Sequence, residues 1–138
     1  MKKLLTLTKE QARTLYNLLS NYQVANRSDN RKRFQFLEVI EKAVFKFDDE
    51  IAEVAKKEKD VAKANKEITE LGEQTEKFSF NDREAFAKVK DMFEKVYEVG
   101  TLSTNSMGKT ERTPLVGRNA KIYMELEDVF ADVKDIKE

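Results

Sequence analysis

The fold is decided by residues 28–72, which read SDNRKRFQFLEVIEKAVFKFDDEIAEVAKKEKDVAKANKEITELG. The segment contains no proline and reaches its first glycine at Gly72, a residue type that suits the position after a helix end. Its apolar side chains recur at alternating spacings of three and four, the pattern of a helix that buries one stripe. We therefore predict one central helix over residues 29–71, about 44 residues and roughly 65 Å long at ~1.5 Å per residue.

The apolar stripe changes in width along this predicted helix. Its N-terminal half is broad, because Phe34, Phe36, Ala43 and Phe45 widen the apolar surface; this predicts that several helices meet there and that Phe34 and Phe36 belong to the core. Its C-terminal half is narrow and typical of a two-helix seam, within the chain or between chains. The candidate oligomer seam consists of Val54, Glu58, Val61, Asn65 and Ile68. Two interpretations of its polar members stay open: they set register or oligomer state, or this half is partly exposed.

Three shorter helices are predicted around the central one. Helix 1 covers residues 8–22 and begins with a Thr8–Gln11 capping box; helix 3 covers 82–99 with Asn81 as its N-cap; helix 4 covers 119–136. Residues 101–118 are predicted to form a polar loop, with a small hairpin turning at residues 105–108 as the alternative. The expected fold is a single all-α domain over residues 1–138, an elongated helical bundle or helical hairpin with four helices in total.

Composition excludes several classes of function. The chain has 138 residues and neither cysteine nor histidine, so disulfides, zinc sites of the Cys/His type and histidine acid–base chemistry are excluded. No apolar run approaches the ~20 residues that a membrane-spanning helix needs. The opening Met1-Lys2-Lys3-Leu4-Leu5 is followed at once by polar residues, unlike a signal peptide. We expect a cytoplasmic protein without membrane association.

Two short motifs resemble ligand-binding sites, but the surrounding sequence does not support a site at either. Gly108-Lys109-Thr110 matches the end of a phosphate-binding loop, but the required glycine five residues earlier is Ser103. Asp48-Asp49-Glu50 is an acidic cluster beside the apolar stripe, which is typical of a solvated helix face. We therefore predict no metal, no cofactor, no catalytic residue and no enzymatic activity.

Charge is distributed unevenly, although the chain is neutral overall. Residues 1–33 hold eight basic and two acidic residues, a net charge of +6 that leaves −6 for residues 34–138. The candidate partner-binding or anion-binding residues are Arg27, Arg31, Lys32 and Arg33. Cations at the start of a helix oppose its dipole, which favours an acidic partner. We interpret that partner as another protein or the chain's own acidic helices; nucleic acid is the alternative.

Three segments together resemble a known family. They are Leu7-Thr8-Lys9-Glu10-Gln11-Ala12 running on to Leu18-Leu19, the stretch from Arg31-Lys32-Arg33-Phe34 through Glu53, and Ile122-Tyr123-Met124-Glu125-Leu126-Glu127. Their order is similar to that of small helical proteins of unknown function encoded by tailed bacteriophages of low-GC hosts. The resemblance covers roughly half of the chain and implies a phage accessory or assembly protein.

The expected function is therefore non-enzymatic protein–protein interaction. Two versions of it stay open: a virion-associated or assembly protein, and an inhibitor of a host factor. The corresponding locations are the virion and the host cytoplasm. The alternative is an accessory protein that binds nucleic acid through the basic N-terminal region.

Overall fold

The computed structural model describes residues 2–22, 26–99, 101–104, 106–113, 115 and 117–136. Within them the elements are, in chain order, β1 (Lys2–Thr8), α1 (Lys9–Ser20), α2 (Arg27–Lys57), α3 (Val61–Gly72), β2 (Thr75–Phe80), α4 (Arg83–Val99), β3 (Thr101–Thr104), β4 (Thr110–Thr113), α5 (Gly117–Ala131) and β5 (Lys134–Ile136). The prediction of a mostly helical chain is confirmed. The prediction of an all-α fold with four helices holds only roughly, because the described residues also form two small sheets and a fifth helix.

The larger sheet is built around the first strand. Its order is β2-β1-β5, and β1 is antiparallel to both neighbours. Leu5 lies opposite Phe78 in the register, and both side chains are buried beneath the helices. Side chains alternate between the two faces of a strand. Thr6 and Lys77, which also lie opposite one another, are accordingly exposed on the other face.

The sequence does not predict this sheet, because the strands that pair in it are far apart along the chain. Leu5 pairs with Phe78, more than seventy residues later in the sequence, and Leu4 pairs with Lys134, which is farther still. Residues 134–136 continue the apolar spacing of helix 4, yet α5 ends at Ala131 and these residues pair with β1 instead. Strand preference depends on neighbours across the sheet more than on local sequence.

The central helix predicted over residues 29–71 is wrong, because α2 ends at Lys57 and α3 begins at Val61. Glu58 has an extended backbone with φ −98° and ψ 112°. The Asp60 carboxylate caps α3 by accepting hydrogen bonds from the backbone N–H of Ala62 at 3.0 Å and of Lys63 at 3.3 Å. These side-chain acceptors satisfy donors that would otherwise be unpaired at a helix start, which stabilises the break.

Helix α3 folds back along α2 as the second arm of a helical hairpin. A Cβ placed on Gly72, at the end of α3, would lie 3.5 Å from Cζ of Phe47 and 3.3 Å from Cβ of Glu10. Phe47 precedes the end of α2 by ten residues, so the two helices run antiparallel. The close approach explains the glycine at this position. The two parts of the predicted seam thus face one another within the chain.

The remaining helix boundaries follow local capping signals. The Thr8–Gln11 capping box predicted at the start of helix 1 is present in the structure. Helix α4 is capped by Asp82, which accepts from the N–H of Ala85 at 2.9 Å, and not by Asn81. The loop predicted over 101–118 contains the alternative hairpin, in which β3 pairs with β4. Residue 105 of its predicted turn lies outside the described residues.

Stacked aromatic rings join the sheet to the helices. Phe36 of α2 lies on Phe80 of β2 with ring centroids 4.4 Å apart and planes 10° from parallel. Phe93 of α4 lies on Tyr123 of α5 at 4.3 Å. The Tyr123 hydroxyl donates to the carbonyl of Phe93 at 2.7 Å, which satisfies the one polar atom of this buried ring.

The position of β1 at the centre of the sheet generates a prediction about stability. Leu5 is 1% exposed, and its truncation to alanine leaves a cavity between sheet and helices. We expect Leu5→Ala to lower the free energy of unfolding by about 2–5 kcal/mol. Thr6→Ala on the exposed face is the control, with an expected change of about 1 kcal/mol or less. Urea unfolding followed by far-UV circular dichroism measures both; equal losses would contradict the assignment of the two faces.

Candidate partner-binding surface

Most of the basic residues in the first part of the chain have partners within the fold. Lys9 at the start of α1 binds Glu50 of α2 at 3.1 Å, and Arg13 binds Asp48 at 3.0 Å. Both carboxylates belong to the acidic cluster on α2 that the sequence placed on a solvated face. The excess of positive charge before residue 34 and the excess of negative charge after it therefore attract each other within the protein.

Arg33 is the most deeply engaged of the candidate residues. Its side chain is 9% exposed and its guanidinium donates to the backbone carbonyls of Leu19, at 3.0 Å, and of Tyr22. A further bond reaches Oδ1 of Asn30 at 2.7 Å. These carbonyls lie at and beyond the end of α1, where the last turn of a helix leaves acceptors unpaired. Burial lowers the pKa of Arg33.

The role of Arg33 was missed at the sequence level, although the sequence carries a signal for it. The last turn of α1 contains no basic residue and is followed by Asn21, not by the glycine that commonly closes a helix. The free carbonyls of such a helix end need donors from elsewhere. Arg33 supplies them from α2 and is therefore a structural residue, which removes it from the candidate anion-binding set.

Lys32 contacts helix α4, whereas Arg33 contacts the end of α1. Its Nζ donates to Oε1 of Glu84 at 2.7 Å, and this hydrogen bond raises the pKa of Lys32. Glu84 lies in the first turn of α4, where a carboxylate also interacts favourably with the helix dipole. Lys32 thus joins the start of α2 to the start of α4.

Arg27 and Arg31 remain exposed, and they share a line with two exposed phenylalanines. The line follows the outward side of α2 at alternating spacings of four and three residues. We call it the outer stripe; its members are Arg27, Arg31, Phe34, Glu38, Glu41 and Phe45. It faces away from the buried side of α2, which carries Phe36, Leu37, Ile40, Val44 and Phe47.

The exposure of the two phenylalanines of the outer stripe corrects two predictions: that Phe34 belongs to the core, and that Phe45 widens the apolar surface where several helices meet. Phe34 is 53% exposed and Phe45 is 50% exposed. The Phe45 ring meets Tyr16 of α1 edge-on, at 5.9 Å between centroids, and the Arg33 guanidinium carbon lies 5.1 Å from the centre of the Phe34 ring. Each ring is therefore supported on one side and exposed on the other. Phe36, which was also predicted to be core, is buried.

The residues of the candidate oligomer seam occupy the hairpin of α2 and α3. Val54, Glu58 and Ile68 are half-buried, Asn65 is exposed, and Val61 at the hairpin end is 72% exposed. The structure brings the two arms of the seam together within one chain. It places the seam away from Arg27 and Arg31, at the other end of α2.

A cleft of about 500 Å³ lies between α1, the hairpin and the start of α5. Its apolar lining comes from Phe47, Ile51, Ile68 and Ile122. Charged residues at its walls are paired: Glu10 binds Arg118 of α5, and Arg13 binds Asp48. An anion entering the cleft would compete with these carboxylates for the arginines, so the pairs favour a structural role: one joins α1 to α5 and the other joins α1 to α2.

In the described residues, acidic side chains form no group of three or more that could hold a metal ion, and no helix has the length and apolarity needed to cross a bilayer. Comparison of the sequence with protein-family models, curated proteins and solved structures finds no match.

The contrast between Arg33 and Arg31 can be tested by substitution. Arg33→Gln removes charged donors from the carbonyls that follow α1, so we expect the free energy of unfolding to fall by about 1.5–3 kcal/mol. Arg31→Gln, two residues earlier and exposed, is the control and should change stability by about 0.5 kcal/mol or less. Chemical unfolding measures both variants. A stable Arg33→Gln variant would return Arg33 to the set of residues available to a partner.

Proposed function

We propose that the protein acts without catalysis, by binding another protein on the outer stripe of α2. The observation that carries this proposal is the half-exposure of two phenylalanines, Phe34 and Phe45, on one line of one helix. Exposed apolar side chains grouped on one surface are typical of interaction sites. Aromatic and arginine side chains are also the types that contribute most to binding energy at protein interfaces.

The stripe defines the chemistry of the partner. Phe34 and Phe45 are eleven residues apart, which is about 16 Å along a helix at ~1.5 Å per residue. A partner needs two apolar depressions at that distance. Arg27 and Arg31 continue the line at its N-terminal end and favour carboxylates on the partner beside the Phe34 pocket. The partner is thus a protein surface with two apolar depressions, carboxylates at one end, and hydrogen-bond donors or basic groups between the depressions, facing the two glutamates of the stripe.

The resemblance to small phage proteins supports a biological context for this binding. In that context the protein is a phage accessory or assembly protein, associated with the virion, or an inhibitor of a host factor acting in the host cytoplasm. Both versions require a protein surface of the kind described for the outer stripe. They differ in the identity of the partner and not in the residues that bind it.

Nucleic acid is the second candidate, and one observation favours it. Phe34 is exposed close to Arg31, and nucleic-acid sites often combine basic residues with aromatic ones. Three features oppose it: Arg33 is buried, Lys32 is paired with Glu84, and acidic Glu38 follows Phe34 on the same stripe. A phosphate backbone along this line would meet carboxylates after the first two arginines.

The protein-binding proposal predicts the effect of removing both rings. In the double variant Phe34→Ser/Phe45→Ser, we expect affinity for the partner to fall by roughly 30-fold or more, because truncating central aromatic residues has effects of this size. The matched control is Met124→Ser, which removes an apolar side chain of similar exposure (57%) from α5. A partner is captured on the immobilised protein, identified, purified and titrated against all three proteins by calorimetry.

Two outcomes would overturn the proposal. One is a purified partner that binds the double variant and the original protein equally well. The other is salt-sensitive binding of DNA or RNA oligonucleotides, measured by fluorescence anisotropy, that is lost in Arg27→Gln/Arg31→Gln. The second outcome would establish the nucleic-acid alternative.

A further inference from the structure

The packing of α3 on α2 can form in two ways, within one chain or between two chains. We propose that the α2–α3 hairpin opens into one continuous helix and that two copies of the chain then exchange halves, so that α3 of each copy packs on α2 of the other. The partner of this region is thus a second copy of the chain. The closed hairpin and the exchanged dimer are two arrangements of the same interface.

The spacing of the seam residues supports this exchange. Continued in both directions, the seam is Phe47, Ile51, Val54, Glu58, Val61, Asn65, Ile68 and Gly72. Its intervals alternate between four and three and read the same from either end, with the midpoint between Lys59 and Asp60. Such a stripe pairs antiparallel with itself. The contact of Gly72 with Phe47 belongs to this pairing, and Ile51 and Ile68 line one cleft.

The hinge contains little that opposes a continuous helix. Only Glu58, Lys59 and Asp60 separate α2 from α3, and the three include no glycine or proline. All three residue types occur in helices, with aspartate the least suited to them. The hinge-specific contacts are the Asp60 cap and a 3.1 Å bond from the Asp60 N–H to the Glu58 carboxylate. Opening exchanges these contacts for backbone hydrogen bonds of a helix.

The exchanged dimer also covers a side chain that the hairpin leaves exposed. Val61 is 72% exposed because it lies at the end of the hairpin. In an antiparallel pair of continuous helices this position lies beside the two-fold axis, where it meets the Glu58–Val61 segment of the other copy. Exchange preserves the interfaces between the halves and adds this contact, so protein concentration sets the balance between the two forms.

The chain allows a direct test because it contains no cysteine of its own. A Cβ on Gly72 would lie 3.3 Å from Cβ of Glu10, close to the separation of about 3.5–4.5 Å found in disulfides. We therefore choose the variant Glu10→Cys/Gly72→Cys. In the closed form the two thiols belong to one chain, and oxidation gives a cross-linked monomer. In the exchanged dimer they belong to different chains, and oxidation gives a covalent dimer on a non-reducing gel.

Hinge variants of the cysteine-free chain provide a second measurement. Asp60→Ala removes the α3 cap and improves the continuous helix. We expect the dimerisation constant to rise roughly 25-fold, since the dimer contains two hinges and a lost cap accounts for about five-fold at each. Lys59→Pro should abolish the dimer, because proline breaks a helix interior but suits a position after extended Glu58. Lys59→Ala is the matched control. Sedimentation equilibrium measures all of them.

The expected result is a covalent dimer whose fraction rises with protein concentration, together with the stated order of the hinge variants. The proposal is overturned by a disulfide that stays within one chain at every concentration where dimers sediment, or by a monomer that persists in Asp60→Ala up to the highest soluble concentration. If the cysteine pair does not fold, the hinge variants alone decide. Dimers that form equally in Lys59→Pro and Lys59→Ala also contradict it.

Discussion

The pairing of β1 with a strand from the middle of the chain constrains the rest of the structure. Its last residue, Thr8, is also the N-cap of α1, so the strand fixes where the first helix begins. The N–H of Lys9 donates to the carbonyl of Gln74 at 2.9 Å, which brings residue 74 to the start of α1. A straight helix over residues 29–71 would carry that residue away by roughly 65 Å at ~1.5 Å per residue. For β1 and β2 to pair within one chain, the backbone must turn back, and the hairpin of α2 and α3 is the turn.

The uneven charge distribution then stabilises the helices in this arrangement. Lys9 and Arg13 on α1 meet Glu50 and Asp48 on α2, and Lys32 on α2 meets Glu84 on α4. Exposed ion pairs contribute little individually, so these contacts favour one relative position of the helices more than they add stability. Arg33 is different, because it is buried and donates hydrogen bonds to backbone carbonyls that include the buried carbonyl of Leu19. Loss of its donors would remove charged hydrogen bonds from the carbonyls of Leu19 and Tyr22, of which the former keeps, among the described residues, only the bond from the Tyr22 N–H at 3.3 Å and the contact of the Asn21 N–H.

Whether a structural feature can be predicted from the sequence depends on how far apart its interacting residues are along the chain. The Thr8–Gln11 capping box joins residues three positions apart and can be predicted from the sequence alone. The end of α2 was missed because Asp60 fits two structures: it caps α3 here, yet an aspartate inside a long charged helix causes no conspicuous violation. The sheet was missed because Leu5 and Phe78 are far apart in sequence. Arg33 resembled its exposed neighbours, and only the missing donors after α1 distinguish it.

The aromatic residues of α2 show why the sequence alone does not separate the proposed binding surface from the core. They come in two pairs, Phe34 with Phe36 and Phe45 with Phe47, and residues two apart point to nearly opposite sides of a helix. One ring of each pair must therefore be exposed if the other is buried, and periodicity does not say which. The structure buries Phe36 and Phe47. Phe34 and Phe45 remain about half exposed, so each contributes less to the free energy of folding than a buried ring does. Both exposed rings lie on the same line as Arg27 and Arg31, and a partner that covers this line would supply the burial that the fold does not.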